Sequence, residues 1–315
     1  MKSHFFYILA PLFLFSNLWI TTAYAQDNKS AYIGRWDMVI NQEGKELPSW
    51  LEISKSGNAT LVGRFVYAFG SARPISEVKV NSGKVSFSIP VQWEPGTKNM
   101  IFEGMLKDEN LEGFMVYSDG KKYNWTAKRA PILEYNENIV WGAPMVLFNG
   151  KNLEGWSAMG ENQWVVANGI LESPKSGANL VSDATFKNFK LHVEFKYPKG
   201  SNSGIYLRGR YEVQIEDGKG SEPNDLLFGG VYGFLTPNQM AANAPEEWQT
   251  YDITLNGQRV SIVANGKEII TDQTIPGITG GALDSREGEA GPILIQGDHG
   301  AISFRSIVIT PEFNQ

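Results

Sequence analysis

Cysteine is absent from all 315 residues. That excludes a disulfide framework and a lipid-modified cysteine as an anchor. Also missing are a phosphate-binding glycine loop, a dinucleotide fingerprint and a nucleophile elbow. Any oxidation of a substrate must therefore be done by another enzyme. The three histidines never fall at His-x-x-x-His or a comparable ligand spacing. No cofactor is expected on that basis, although His299, Glu212, Glu194 and Asp217 carry donors that leave a divalent metal open. Basic residues are in deficit, 28 against 34 acidic, for a net charge of −6. Nucleic acid and anionic membranes are poor partners for that balance.

The longest apolar run, residues 5–20, follows Lys2 and precedes Ala23-Tyr24-Ala25, an A-x-A cleavage pattern ahead of Gln26. It is shorter than the roughly 20 apolar residues that span a bilayer. The expectation is a cleaved signal peptide over 1–25 and a secreted chain with no membrane anchor. Cleavage would remove one basic residue, Lys2, and no acid, leaving the mature protein more acidic still.

What is abundant points to β structure. Hydrophobic residues make up 42% of the chain, aromatics 12%, and there are 33 glycines, a composition suited to a turn-rich all-β protein. Between residues 31 and 129, roughly eight short alternating or apolar segments are separated by turn signals. Among them are 32–40, 59–68, 84–89, 99–106, 111–117 and 121–127, and no long helical period interrupts them. Gly34-Arg35-Trp36, with Lys128 and Arg129 after the last segment, resembles the opening of lipocalin-type barrels, with Trp36 filling a core. An eight-stranded barrel leaves room for side chains or one small ligand. Residues 136–144, beginning Asn136-Glu137-Asn138, lose the apolar periodicity and read as a linker. Beyond them Asn-Gly pairs at 149, 168, 256 and 265 mark tight turns between strand patterns such as 251–255, 259–264 and 267–270. Ten or more strands there call for a sandwich or jelly roll, since an open sheet of that size would curl or split. The expected organisation is signal peptide 1–25, barrel 26–135, linker 136–144 and jelly roll 145–315.

The densest chemistry lies in residues 202–217. At period 2, Ile205, Leu207, Tyr211, Val213 and Ile215 share one face, and Tyr206, Arg208, Glu212, Gln214 and Glu216 share the other. The first set is a core. A phenol, a cation, an amide and two carboxylates on the second suit a polyhydroxylated ligand, because each can donate to or accept from hydroxyls. Phe189, Leu191, Val193 and Phe195 form another inward set, with His192 and Glu194 opposite; a solvated strand face accounts for His192. His299 stands between glycines in Gly297-Asp298-His299-Gly300, at a strand end, and has an ordinary pKa near 6.5 that suits proton transfer.

From about residue 145 to 311 the chain resembles the 3-keto-disaccharide hydrolase family. The resemblance is carried by Leu147-Phe-Asn-Gly-Lys-Asn-Leu-Glu-Gly-Trp156, Trp164 with Asn168-Gly169, residues 189–195 including Glu194, Asn202-Ser-Gly-Ile-Tyr-Leu-Arg208 and Tyr211-Glu-Val-Gln-Ile-Glu-Asp217. Further pieces are Glu247-Trp-Gln-Thr-Tyr251, Gln296-Gly-Asp-His-Gly300 and Phe304-Arg-Ser-Ile307. Gln249 and Ser306 depart from the commoner asparagines. The resemblance implies a secreted concanavalin-like jelly roll, a periplasmic location and cleavage of glycosides oxidised to a ketone at carbon 3. Some relatives are thought to hydrate the eliminated product. It also implies a separate sugar 3-dehydrogenase acting upstream, and it says nothing of residues 31–129.

A carbon-3 ketone acidifies the hydrogen on carbon 2, so cleavage by elimination needs a proton acceptor, donors for the enolate oxygen and an acid for the leaving group. His299 is assigned to proton transfer and Arg208 to the ketone oxygen. Glu212 and Glu194 are assigned to acid–base assistance. Tyr206, Gln214, Gln296, Glu216 and Asp217 are the expected sugar contacts, Asp217 through a bulge. Two other readings compete. A conventional two-carboxylate glycosidase would use Glu212 and Glu216, whose separation of about 13 Å along a strand would have to close to about 5.5 Å for retention or about 6.5–9.5 Å for inversion. A non-catalytic carbohydrate-binding module would use the aromatics, but needs few ionisable groups.

Overall fold

The computed structural model describes residues 29–313; the expected signal peptide lies outside them. Apart from one 3-10 turn at Lys29–Tyr32, the regular structure is all strand. Among the described residues no helix is long and apolar enough to cross a membrane.

Eight antiparallel strands form the first unit: β1 (Gly34–Gln42), β2 (Lys45–Ser56), β3 (Thr60–Val66), β4 (Arg73–Asn81), β5 (Lys84–Ile89), β6 (Met100–Lys107), β7 (Asn110–Val116) and β8 (Lys122–Arg129). They meander in order, and β8 closes the barrel on β1 with Trp36 opposite Arg129. Alternation places Trp36, Met38, Ile40, Phe65, Phe87, Phe102 and Trp125 in one apolar interior. Trp36 is a core residue, as expected. Its Nε1 donates to the Tyr32 carbonyl at 3.0 Å, and the Arg129 guanidinium lies 3.7 Å from its ring centroid.

The second unit is a sandwich. Its strands are β9 (Met145–Val146), β10 (Trp156–Ala158), β11 (Val165–Ala167), β12 (Ile170–Ser173), β13 (Leu180–Phe186), β14 (Phe189–Lys196), β15 (Asn202–Leu207), β16 (Tyr211–Glu216), β17 (Gln249–Asn256), β18 (Arg259–Ala264), β19 (Lys267–Thr274), β20 (Gly291–Ile295) and β21 (Ile302–Pro311). One sheet has the order β10-β13-β20-β15-β16; the other runs β11-β12-β21-β14-β17-β18-β19, with β9 on β21. Phe195, Tyr251 and Phe304 from the larger sheet and Ile205, Val213 and Ile293 from the smaller one belong to a single core. This is the jelly-roll sandwich that the strand count required. The Asn-Gly turns at 168 and 265 put both residues at positive φ, as two-residue hairpin turns between twisted strands demand.

The barrel packs directly onto the sandwich. In β2 the run Ser49-Trp50-Leu51 is buried on both faces, because Leu51 points into the barrel and Trp50 points out into the sandwich core. The Trp50 ring meets Phe234 edge-on at 5.3 Å, and a side chain at Gly277 would collide with its indole. Ser285 of the sandwich donates to the Met38 carbonyl at 2.7 Å and accepts from the Ser49 amide at 3.3 Å. Trp50 is thus the apolar anchor between the units. Trp50→Ala should cost about 3–5 kcal/mol and lower the urea midpoint; a loss below about 1 kcal/mol would mean that the two units do not depend on each other through this residue.

Candidate functional site

Why a cleft forms beside β15 and β16 follows from their register. Asn202 pairs with Glu216, Gly204 with Gln214 and Tyr206 with Glu212, so these residues stack across the two strands on the face away from the sandwich core. Gly204 is required here, because a Cβ would occupy the space taken by the Glu212 carboxyl. The free edge of β16 is covered by the long connection 217–248. Gln214 N donates to Gly230 O at 2.9 Å and Tyr232 N to Glu212 O at 3.0 Å, which delivers the Tyr232 ring to the cleft. On the other side, Gln296 N donates to Gly204 O at 2.9 Å and Ser203 Oγ to Gln296 O at 2.8 Å. Gly297 N donates to Asn179 Oδ1 at 2.8 Å, and Ser201 Oγ to Ala301 O at 2.6 Å. The loop carrying Asp298 and His299 is therefore held at both ends.

The resulting cleft has a volume of about 610 Å³, within the range of small-molecule sites. Tyr206, Glu212, Gln214, Gln296, Asp298 and His299 line it from the sandwich. Glu212 is 3% exposed, and burial pushes its carboxyl from the ordinary 4.5 up to about 8. It therefore holds a proton at neutral pH. Its Oε2 lies 2.9 Å from the Tyr206 hydroxyl, which is also 3.0 Å from Gly280 O. A phenol has one proton, so protonated Glu212 can donate to Tyr206 while Tyr206 donates to Gly280; when Glu212 ionises, the phenol can turn its proton to the carboxylate. His299 has Nδ1 2.6 Å from Asp298 Oδ1, which leaves Nε2 for a ligand. That hydrogen bond, with the charge of Asp298 behind it, raises the imidazole above its ordinary 6.5. Gln214 and Gln296 line the cleft, and their buried Oε1 atoms take no hydrogen bond from the protein.

Three of the expected residues lie elsewhere. Arg208 does not share the face with Tyr206 and Glu212. Strand β15 ends at Leu207, Arg208 takes φ 54° in the turn, and the alternation stops there. Its side chain is buried at the hairpin tip, where it donates to Gly257 O at 2.6 Å and lies over the Tyr211 ring at 5.1 Å. It does not line the cleft. Glu194 sits on the outer face of the larger sheet, paired with Arg305 and with His192 at 3.4 Å. His192 also pairs with Asp252 at 2.7 Å, in agreement with a solvated strand face. Asp217 accepts from the Gly200 amide at 3.4 Å at the end of β16 and does not line the cleft. Glu216 does not line the cleft either, but it contacts two residues that do, accepting from Gln214 Nε2 at 3.3 Å and Asn202 Nδ2 at 3.4 Å, with burial raising its carboxyl above the ordinary value.

Asn179, Asn202, Tyr232 and the barrel residues Phe69 and Trp93, none of them expected from the sequence, also line the cleft. A signal for Tyr232 existed, since a connection of about thirty residues in a compact β domain is usually functional. Among the described residues no group of three or more His, Asp or Glu is placed to hold a metal ion.

Fold and cleft together define an all-β jelly-roll protein with a buried carboxyl and an imidazole facing one cavity. The model of the 3-keto-alpha-glucoside-1,2-lyase-like domain matches residues 143–310, and the chain belongs to that family. The barrel lies outside the matched region. A 96-residue segment is 31% identical to the 3-keto-disaccharide hydrolase of Bacteroides thetaiotaomicron, covering 26% of this chain and 32% of that one. The match thus spans about a third of that relative. Among solved structures, one described as a glycosyl hydrolase of Parabacteroides distasonis is 27% identical with a TM-score of 0.47, covering 56% of this chain and 92% of the other. A carbohydrate-binding module from Bacillus subtilis is 11% identical with a TM-score of 0.36, covering 50% of this chain and 95% of that one.

The raised Glu212 carboxyl has a consequence for stability. The folded state keeps a proton that the unfolded chain has released above its ordinary 4.5, so this stability is full below pH 4.5 and is lost as pH rises through about 8. Glu212→Gln should therefore melt several degrees above the wild type at pH 9, with the gap closing by pH 4.5. Parallel melting curves for the two proteins across that range would contradict the assignment.

Proposed function

We propose that this chain is an exported enzyme that cleaves glycosides carrying a ketone at carbon 3, by elimination followed by hydration. The observation that carries the reading is the pairing, in one cleft, of a carboxyl that keeps its proton near neutrality with an imidazole whose far nitrogen is free. His299 Nε2 takes the proton from carbon 2, and the electron pair of that C–H bond forms an enolate with the ketone. Collapse of the enolate restores the ketone, makes the C1–C2 double bond and breaks the C1–O bond. Glu212 gives its proton to the departing oxygen. Water then adds, with its oxygen to carbon 1 and a proton returned to carbon 2, by the same two groups in reverse roles.

With Arg208 buried elsewhere, the enolate oxygen falls to donors that do line the cleft. These are the Asn202 amide and the Tyr232 hydroxyl, which burial keeps protonated by pushing it up to about 12. Gln214 and Gln296 lie along the cleft as polar contacts for the sugar, and Tyr206 holds the Glu212 carboxyl through its hydroxyl, which is also hydrogen-bonded to Gly280 O. Asp298 orients His299 in the tautomer that leaves Nε2 as acceptor. The family supports the keto-sugar substrate, and a separate sugar 3-dehydrogenase must supply it, because no dinucleotide fingerprint is present. Direct hydrolysis by Glu212 and Glu216 is less well supported, since Glu216 is engaged with Gln214 and Asn202 and does not line the cleft.

The pH dependence of kcat/KM on a 3-keto glucoside tests the assignment. It should be bell-shaped, rising as His299 loses its proton above 6.5 and falling as Glu212 ionises near 8. His299→Ala should lose about 10²–10⁴-fold in kcat/KM, and Glu212→Gln should lose turnover along with the alkaline limb. Wild-type rates in His299→Ala, or an alkaline limb that survives in Glu212→Gln, would remove that residue from the mechanism.

A further inference from the structure

The cleft has a second wall that the matched family region does not supply. Ala68, Phe69, Gly70 and Trp93 come from the barrel, from the β3–β4 and β5–β6 connections. Trp93 is 69% exposed and Phe69 40% exposed, both on built supports. Glu94, next to Trp93, is buried and forms a double hydrogen bond with Arg73 at 2.8 and 3.2 Å; its Oε2 also accepts the Gln92 and Trp93 amides at 2.7 and 3.2 Å. Gln92 ties the two connections together, donating to Ser71 Oγ at 2.9 Å and accepting from the Ser71 amide at 3.2 Å. Phe69 packs edge-on against Tyr67 at 4.9 Å. A large indole left in solvent on a buried ion pair is a poor use of apolar surface unless something covers it.

This wall is fastened to the chemistry. Gly281 N donates to the Ala68 carbonyl at 2.8 Å, and Gly280, whose carbonyl faces the Tyr206 hydroxyl, lies so close to Gly70 that a Cβ there would strike the Gly70 backbone. The same loop holds β16, since Thr279 Oγ1 accepts the Glu212 amide at 3.0 Å. The barrel's aromatic surface thus stands at a set position across the cleft from Glu212 and His299.

We propose that Trp93 and Phe69 form the leaving-group subsite, taking a ring with an apolar face, either a second pyranose or an aryl group, bonded to carbon 1 of the keto sugar. The inference rests on the keto-glycoside reading above. It divides the cleft by chemistry: the sandwich wall carries the buried amide oxygens and the ionisable groups that an oxidised sugar needs, whereas the barrel wall offers ring faces for stacking. A free 3-keto monosaccharide or a methyl glycoside would leave that wall uncovered.

The experiment compares wild type, Trp93→Ala and Trp93→Phe on methyl 3-keto-glucoside, 4-nitrophenyl 3-keto-glucoside and a 3-keto disaccharide, with thermal melting to confirm that each variant is folded. Trp93→Ala should lower kcat/KM for at least one ring-bearing substrate about tenfold more than for the methyl glycoside, mainly through KM, and Trp93→Phe should recover most of that loss. A selective loss on the disaccharide identifies the occupant as a sugar, and one on the nitrophenyl glycoside identifies it as an aryl group. Equal losses on all three substrates would overturn the subsite while leaving the keto-glycoside reading intact. Failure of the wild type to turn over any of the three would overturn both.

Discussion

Desolvation of one carboxyl group organises this molecule. Glu212 lies near the start of β16, beneath a covering connection and beside Gly204, which makes room for its carboxyl, and its burial holds a proton on it up to about pH 8. Each neighbouring feature serves that state. Tyr206 links the carboxyl to the Gly280 carbonyl, the 217–248 connection excludes water from the β16 edge, and the loop around Thr279 fixes the Glu212 backbone. A carboxyl left in solvent at that place would be ionised at neutral pH.

The same loop joins the two units. Residues 277–281 pass under Trp50, beside Gly70 and against Tyr206, so packing that holds the barrel to the sandwich also shapes the cleft. The barrel interior is filled by aromatic and aliphatic side chains, and what it offers the cleft is its outer rim. Loss of stability at the interface and loss of shape at the site are thereby linked, because both depend on one short segment with no regular structure.

Much of this was legible in the alternation of side chains. Period 2 placed Tyr206, Glu212 and Gln214 on one face, and the flanking glycines marked the His299 loop. The pattern failed where the backbone departs from a strand. Arg208 follows the parity of Tyr206 by counting, but the turn at φ 54° carries it to the hairpin tip, into a buried network with Tyr211. Glu194 failed for a different reason: it alternates correctly, but on the other sheet, and no local pattern says which sheet a strand joins. Phe69 and Trp93 were beyond reach, because the approach of the barrel to the sandwich is set by contacts such as Trp50 with Phe234, distant in sequence.

The most direct test of the central claim is product analysis by NMR in deuterated water, with the purified protein given a 3-keto glucoside and, in parallel, the unoxidised parent. The account requires cleavage of the keto sugar alone, with deuterium incorporated at carbon 2 of the product. Cleavage of the parent glucoside, or of the keto sugar without deuterium at carbon 2, would contradict it.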